Sequence, residues 1–159
     1  MGDQRVQPTA DSPEIVAFAS RMYDAARKGD TAIFEQALPA GLPPNMTNDK
    51  GDSLLMLSTY HGHLPLSRIL LSHGADPNRL NDRGQSPLAG AVFKGEGEIV
   101  DLLLEAGADV DLGKPSAAEA VVLFKKTDEY GAKFEEARES IRKKREGGIG
   151  GTKGAFEMM

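Results

Sequence analysis

Glycine returns at a fixed interval along this chain. Gly29, Gly62 and Gly95 are 33 residues apart, and so are Gly41, Gly74 and Gly107. The same spacing relates Asn45, Asn78 and Asp111, and again Gly51 and Gly84. A period between about 20 and 50 residues marks a solenoid, in which each unit buries its apolar face only against its neighbours. The two best copies run from Asn48 to Leu80 and from Asn81 to Gly113, and they align without a gap.

Local chemistry predicts what each copy folds into. Asn48-Asp49-Lys50-Gly51 and Asn81-Asp82-Arg83-Gly84 are turn sequences, with side chains that bond the nearby backbone and a glycine free to take positive φ. They predict exposed, hairpin-like tips. Ser53 and Ser86 then cap a short first helix that ends at Gly62 or Gly95. A second helix follows, with Leu66, Ile69, Leu70 and Leu71 at helical spacing in one copy and Ile99, Val100, Leu102, Leu103 and Leu104 in the next. It stops at Gly74 or Gly107, where a left-handed residue suits a C-cap.

The residues that carry a family resemblance are Ser86-Pro87-Leu88, Gly62-His63, Leu70-Leu71 and Gly74-Ala75-Asp76-Pro77-Asn78, with Leu103-Leu104 and Gly107-Ala108-Asp109-Val110-Asp111 in the second copy. On these the chain resembles the ankyrin-repeat family, strongly from about Phe18 to Gly113 and only by architecture from Lys114 to Glu146. The resemblance implies an all-α repeat solenoid of paired helices joined by hairpin-like turns. It departs from the family pattern at Leu54, which stands for the motif proline, and at Met56 and Ala89, which stand for the motif histidine. The turn-bracing bonds of that histidine are therefore not expected here. Asn78 occupies a position like that of an asparagine hydroxylated in some ankyrin proteins, but a bracing role in the turn is the expected one.

The predicted organisation is a disordered tail over 1–13, an ankyrin domain over 14–146 and a disordered tail over 147–159. Within the domain, 14–47 reads as an N-terminal capping repeat, 48–80 and 81–113 as full repeats, and 114–146 as a degenerate C-terminal cap. Asp11 and Pro13 read as start signals for a helix over 14–28, followed by one over 31–38. Ser116 with Glu119 resembles a capping box, and Tyr130 to Arg145 reads as a charged helix with a thin apolar stripe of Phe134, Ala137 and Ile141. A polar final repeat is what a finite solenoid needs.

Composition narrows the function classes. A formal net charge of -5 argues against a general nucleic-acid binder, which carries a basic domain or stripe. Cysteine is absent, so disulfides and thiolate metal sites are excluded. No run reaches the roughly 18 apolar residues of a membrane span. The three histidines are His61, His63 and His73. His61 and His63 invite a zinc reading, but Gly-His belongs to the inter-helix loop and His73 suits a helix C-terminus. There is no phosphate loop or nucleophile elbow, so the expectation is no catalytic site, no cofactor and no metal. The partner is expected to be a protein, the chain a monomer on its own, and its location cytoplasmic, with a nuclear fraction left open. Arg142-Lys143-Lys144-Arg145 reads as a solvated helix end placed to suit the dipole, with a nuclear-import signal as the alternative.

The resemblance implies binding through the tips and the exposed face of the first helices. The two positions before each loop glycine hold Arg27 and Lys28, Tyr60 and His61, then Phe93 and Lys94, with Lys126 and Thr127 at the same register in the degenerate repeat. The tips offer Asp49, Lys50 and Asp52, then Asp82, Arg83 and Gln85. Read blandly, Tyr60 and Phe93 are buried against neighbouring helices. Read for function, they are interface anchors ringed by cations that favour an acidic, tail-like segment. The main expectation is an adaptor or regulatory subunit. The alternatives are a dedicated chaperone for a basic client such as a ribosomal protein, permitted by 13 acidic against 9 basic residues from Ser20 to Lys114, and an enzyme with an unrecognised site.

Overall fold

The computed structural model describes the backbone of residues 12–157 and the side chains of residues 12–147. Eight helices follow one another among the described residues: α1 Pro13–Lys28, α2 Thr31–Ala37, α3 Leu54–Tyr60, α4 Leu64–Ser72, α5 Pro87–Lys94, α6 Gly97–Glu105, α7 Ala117–Leu123 and α8 Thr127–Glu157. They stack as two rows. Helices α1, α3, α5 and α7 pack side by side in one row, and α2, α4 and α6 pack in the other, with α8 closing against α7. This is an all-α repeat solenoid.

The caps explain where the helices begin. Ser53, Ser86 and Ser116 each accept a hydrogen bond from the backbone N–H three residues on, and Glu119 returns the bond to Ser116, completing the capping box. At α1 the cap is Ser12, whose hydroxyl accepts from the Ile15 N–H, with Pro13 as first helical residue. Ser12 therefore takes the role that the sequence reading gave to Asp11. Asp11 and the remainder of the expected N-terminal tail, up to residue 10, lie outside the described residues.

Between the rows runs one continuous apolar core, from Met22 and Phe34 through Leu54, Leu55, Leu66 and Leu70 to Leu88, Val92, Ile99 and Leu103. Tyr130 and Phe134 of α8 are buried against its C-terminal end, their rings stacked at 6.1 Å, while Ala137 and Ile141 are half-buried. The apolar stripe predicted for this helix thus faces the array. Every such burial removes apolar surface from water at roughly 25 cal/mol per Å².

The backbone of α8 continues as helix through the glycine-rich stretch to Glu157, where the sequence predicts a tail without regular structure. Adding residues to a nucleated helix gains one backbone bond each, which opposes the roughly 1 kcal/mol that each glycine costs relative to alanine. Residues 158–159 lie outside the described residues. As a result Arg142 to Arg145 sit within α8 and not at its end; Arg142 lies 3.7 Å from Glu139 and 3.9 Å from Glu146, and Arg145 lies 3.7 Å from Asp109.

Adjacent repeats are tied by side chains at the 33-residue period. Asn45 donates to the Gly74 carbonyl and accepts from the Asp76 N–H. Asn78 does the same with Gly107 and Asp109, at 3.2 and 2.7 Å. The role expected for Asn78 is the one observed. In the turns, the Lys50 carbonyl accepts from the Asp82 N–H, and the Gly84 carbonyl accepts from the Lys114 N–H, so successive tips are stitched into one edge.

Candidate protein-interaction surface

Helices α3, α5 and α7 lie side by side, and each carries an exposed aromatic residue at or near its C-terminal end. Tyr60 is 38% exposed, Phe93 58% and Phe124, the cap of α7, 39%. Rings of this size ordinarily go inside, so their exposure removes the reading in which Tyr60 and Phe93 are buried between helices. Phe93 and Phe124 meet edge to face at 5.3 Å. A hollow of ≈ 270 Å³ opens beside them, lined by Tyr60, Phe93 and Phe124 with Met56, Ala89, Gly90 and Ala120. Small residues leave that space open: a Cβ on Gly90 would stand 3.5 Å from Cδ2 of Tyr60.

Phe124 was missed by counting back from the loop glycines, which selects Lys126 and Thr127. The error is three residues. Ser53 and Ser86 cap their helices 33 apart, but Ser116 follows after only 30, so the turn before α7 is shorter. Counted from the caps, Tyr60 and Phe93 each lie seven residues on, and their counterpart is Leu123, with Phe124 next to it. The capping-box residues Ser116 and Glu119 carried the signal that corrects the register. Lys126 instead turns toward Glu129 at 3.6 Å, and Thr127 opens α8.

The other predicted positions divide into exposed groups and bracing groups. Lys94 holds its ammonium 4.9 Å from the centroid of the Tyr60 ring, a cation–π contact that keeps its charge at the edge of the hollow. His61 meets Tyr60 edge-on at 5.4 Å. Burial holds its pKa below the usual histidine value, and the neighbouring His63, Lys94 and Arg27 add to the effect. Arg27 pairs with Asp24 at 2.7 Å and Lys28 is exposed at the end of α1. The Arg27 carbonyl lies 2.6 Å from Nε2 of His63, so that ring is occupied in joining two repeats.

At the tips, Asp49, Lys50, Asp82 and Arg83 are exposed. Asp52 and Gln85 both accept from the Asn81 amide, at 2.9 and 2.8 Å, and so brace the turns. A second hollow of ≈ 380 Å³ lies under the tips, lined by Lys50, Asp52, Asn81 and Arg83, and it shares Met56, Tyr60 and Gln85 with the first. Of the twelve predicted residues, Lys50, Asp52, Tyr60, Arg83, Gln85 and Phe93 line the two joined hollows, Lys94 and His61 meet the Tyr60 ring, and Arg27, Lys28, Asp49 and Asp82 line neither.

Residues 22–114 match the family model described as ankyrin repeats in three copies. The chain belongs to the ankyrin-repeat family. It is also 50% identical over 56 residues to an ankyrin repeat protein of Pseudomonas aeruginosa, a match covering 35% of this chain and 33% of the relative. The chain thus spans about a third of the length of the curated relative it matches. Ankyrin repeats are generally modules for protein–protein interaction and are typically not catalytic. Among the described residues no helix is long and apolar enough to cross a membrane, and no group of three or more histidine, aspartate or glutamate side chains is placed to hold a metal ion.

Proposed function

We propose that this protein is a non-catalytic recognition module, an adaptor or regulatory subunit, that binds a protein partner on the face built from the ends of α3, α5 and α7. The observation that carries this reading is the cluster of three exposed aromatic rings around one hollow. Aromatic anchors seated in desolvated pockets dominate binding energy at interfaces, and a rigid repeat array presents them without an ordering cost at the moment of binding.

The test is co-purification from the native cell with wild type and with a Tyr60→Ala, Phe93→Ala double variant whose melting matches wild type. The expected result is a partner enriched by wild type and lost from the folded variant. Retention of the same partner by the variant would place binding elsewhere and end this reading.

A further inference from the structure

The chain carries a net negative charge, yet among the charged side chains that line the two joined hollows or stand over their common wall, Lys50, Arg83 and Lys94 face one carboxylate, Asp52; the exposed Asp49 and Asp82 of the same tips line neither hollow. Lys94 stands over the Tyr60 ring, which is the wall common to both. Lys50 and Arg83 hold equivalent positions on successive tips and line the second hollow together. The one carboxylate lining it, that of Asp52, accepts from the Asn81 amide. The first hollow has no ionisable lining besides Tyr60. An apolar pocket therefore opens directly beside a pair of cations, with Tyr60 and Met56 between them.

We propose that the partner engages this face through a short acidic segment: one bulky apolar side chain enters the hollow between Tyr60, Phe93 and Phe124, and carboxylates flanking it meet Lys94, Lys50 and Arg83. This deepens the recognition reading above and rests on it. Two features favour such a segment over a broad folded surface. The apolar hollow is sized for one side chain, and the cations lie beyond one wall of it and not in a ring around it. Charged groups at the margin act mainly on the rate of encounter and on salt dependence, whereas the buried anchor sets how slowly the complex dissociates.

The experiment is selection of random twelve-residue peptides displayed on phage against the full chain, followed by affinity measurement on the enriched peptides as synthetic probes. Two variants probe the face, each used only after its thermal melt is found to match wild type. Gly90→Leu fills the hollow from a helical position without positive φ, where a side chain gains helix propensity. Lys50→Glu with Arg83→Glu reverses exposed charges. Enriched peptides are expected to carry one aromatic or long aliphatic residue beside two or more acidic ones. Gly90→Leu is expected to weaken them at least about 30-fold, as loss of an anchor does. The double charge reversal should weaken them several-fold, with most of the loss in association rate.

Peptides that are neutral or basic but are still rejected by Gly90→Leu would overturn the acidic segment while leaving the face standing. Peptides bound equally by wild type and Gly90→Leu, or no enrichment over uncoated support, would overturn the segment and count against the face as well.

Discussion

The guanidinium of Arg138 lies flat against the carboxylate of Asp111, with Nε and Nη2 at 2.8 and 2.7 Å from its two oxygens. Asp111 stands where Asn45 and Asn78 stand in the preceding copies. There the asparagine reaches backbone of the next repeat; here no further copy follows in register, and α8 supplies an arginine instead. The array is thus closed by an ion pair at the position that elsewhere continues it.

Both partners of this pair are more than a third exposed, so water and salt screen it, and Arg138→Ala should cost only about 0.5–1 kcal/mol. The Arg138 hydrogen bond holds the Asp111 carboxyl below its ordinary value. A carboxyl whose folded pKa is depressed adds stability above its unfolded pKa, near 3.8 here, and loses it as pH falls through the lower folded value. The stability gap between wild type and Asp111→Asn, measured by urea unfolding, should therefore be present at pH 6 and should shrink as pH falls below 3.8 toward the lower folded value. A gap that does not shrink at all as pH falls below 3.8 would contradict the assignment.

Asn78→Ala removes the two bonds that this side chain makes to the second full repeat and leaves the Gly107 carbonyl and Asp109 N–H without that partner. A loss of about 1–2 kcal/mol is expected from two net hydrogen bonds of this kind. Asn78→Asp keeps the acceptor for Asp109 and loses the donor to Gly107, so its cost should fall between those of wild type and alanine. Thermal melts of the three proteins decide the order.

Tyr130 is 1% exposed, and its hydroxyl has no hydrogen-bond partner among the described residues. Desolvation pushes its pKa up to about 12, because the phenolate is disfavoured away from water. A group whose charged form is disfavoured in the fold supports stability below its unfolded pKa, near 10, and loses that support as pH rises through the folded value. Tyr130→Phe removes an unsatisfied polar atom while keeping the ring stacked on Phe134, so it should be neutral or stabilising by up to about 1 kcal/mol. In an alkaline spectrophotometric titration, the variant should lack the highest of the tyrosine transitions.

How much of this was legible beforehand depends on which signal is followed. The period, the serine caps and the tip turns are local, and each fixes its element without knowledge of the neighbours. Tyr60 and Phe93 were found because the 33-residue spacing holds through them. Phe124 was not, because the shorter turn before α7 moves the register by three residues, and only the cap at Ser116 records that shift. The bracing roles of Asp52 and Gln85 were hidden for a different reason. Both depend on the Asn81 amide, which bonds Gln85 within its own turn and reaches back to Asp52 in the preceding copy, a link between repeats that no single copy displays. Continuation of α8 past Arg145 is likewise unreadable from composition, since glycine content there argues against helix.

Two glycines separate backbone strain from steric contact. Gly41 at φ 111° and Gly113 at φ 96° both occupy conformations that a side chain disfavours. Around Gly41 a Cβ would meet nothing within 4 Å, whereas at Gly113 it would stand 2.8 Å from the Gly84 carbonyl oxygen. That oxygen belongs to backbone that also accepts the Lys114 N–H, so it has little freedom to retreat. Gly41→Ala should therefore cost about 1–2 kcal/mol from strain alone. Gly113→Ala should cost distinctly more and should also loosen the stitch between the last two tips, visible as faster amide exchange at Lys114. Equal urea midpoints for the two variants would mean that the Gly84 to Lys114 turn yields easily, and that the edge of successive tips is less rigid than its hydrogen bonds imply.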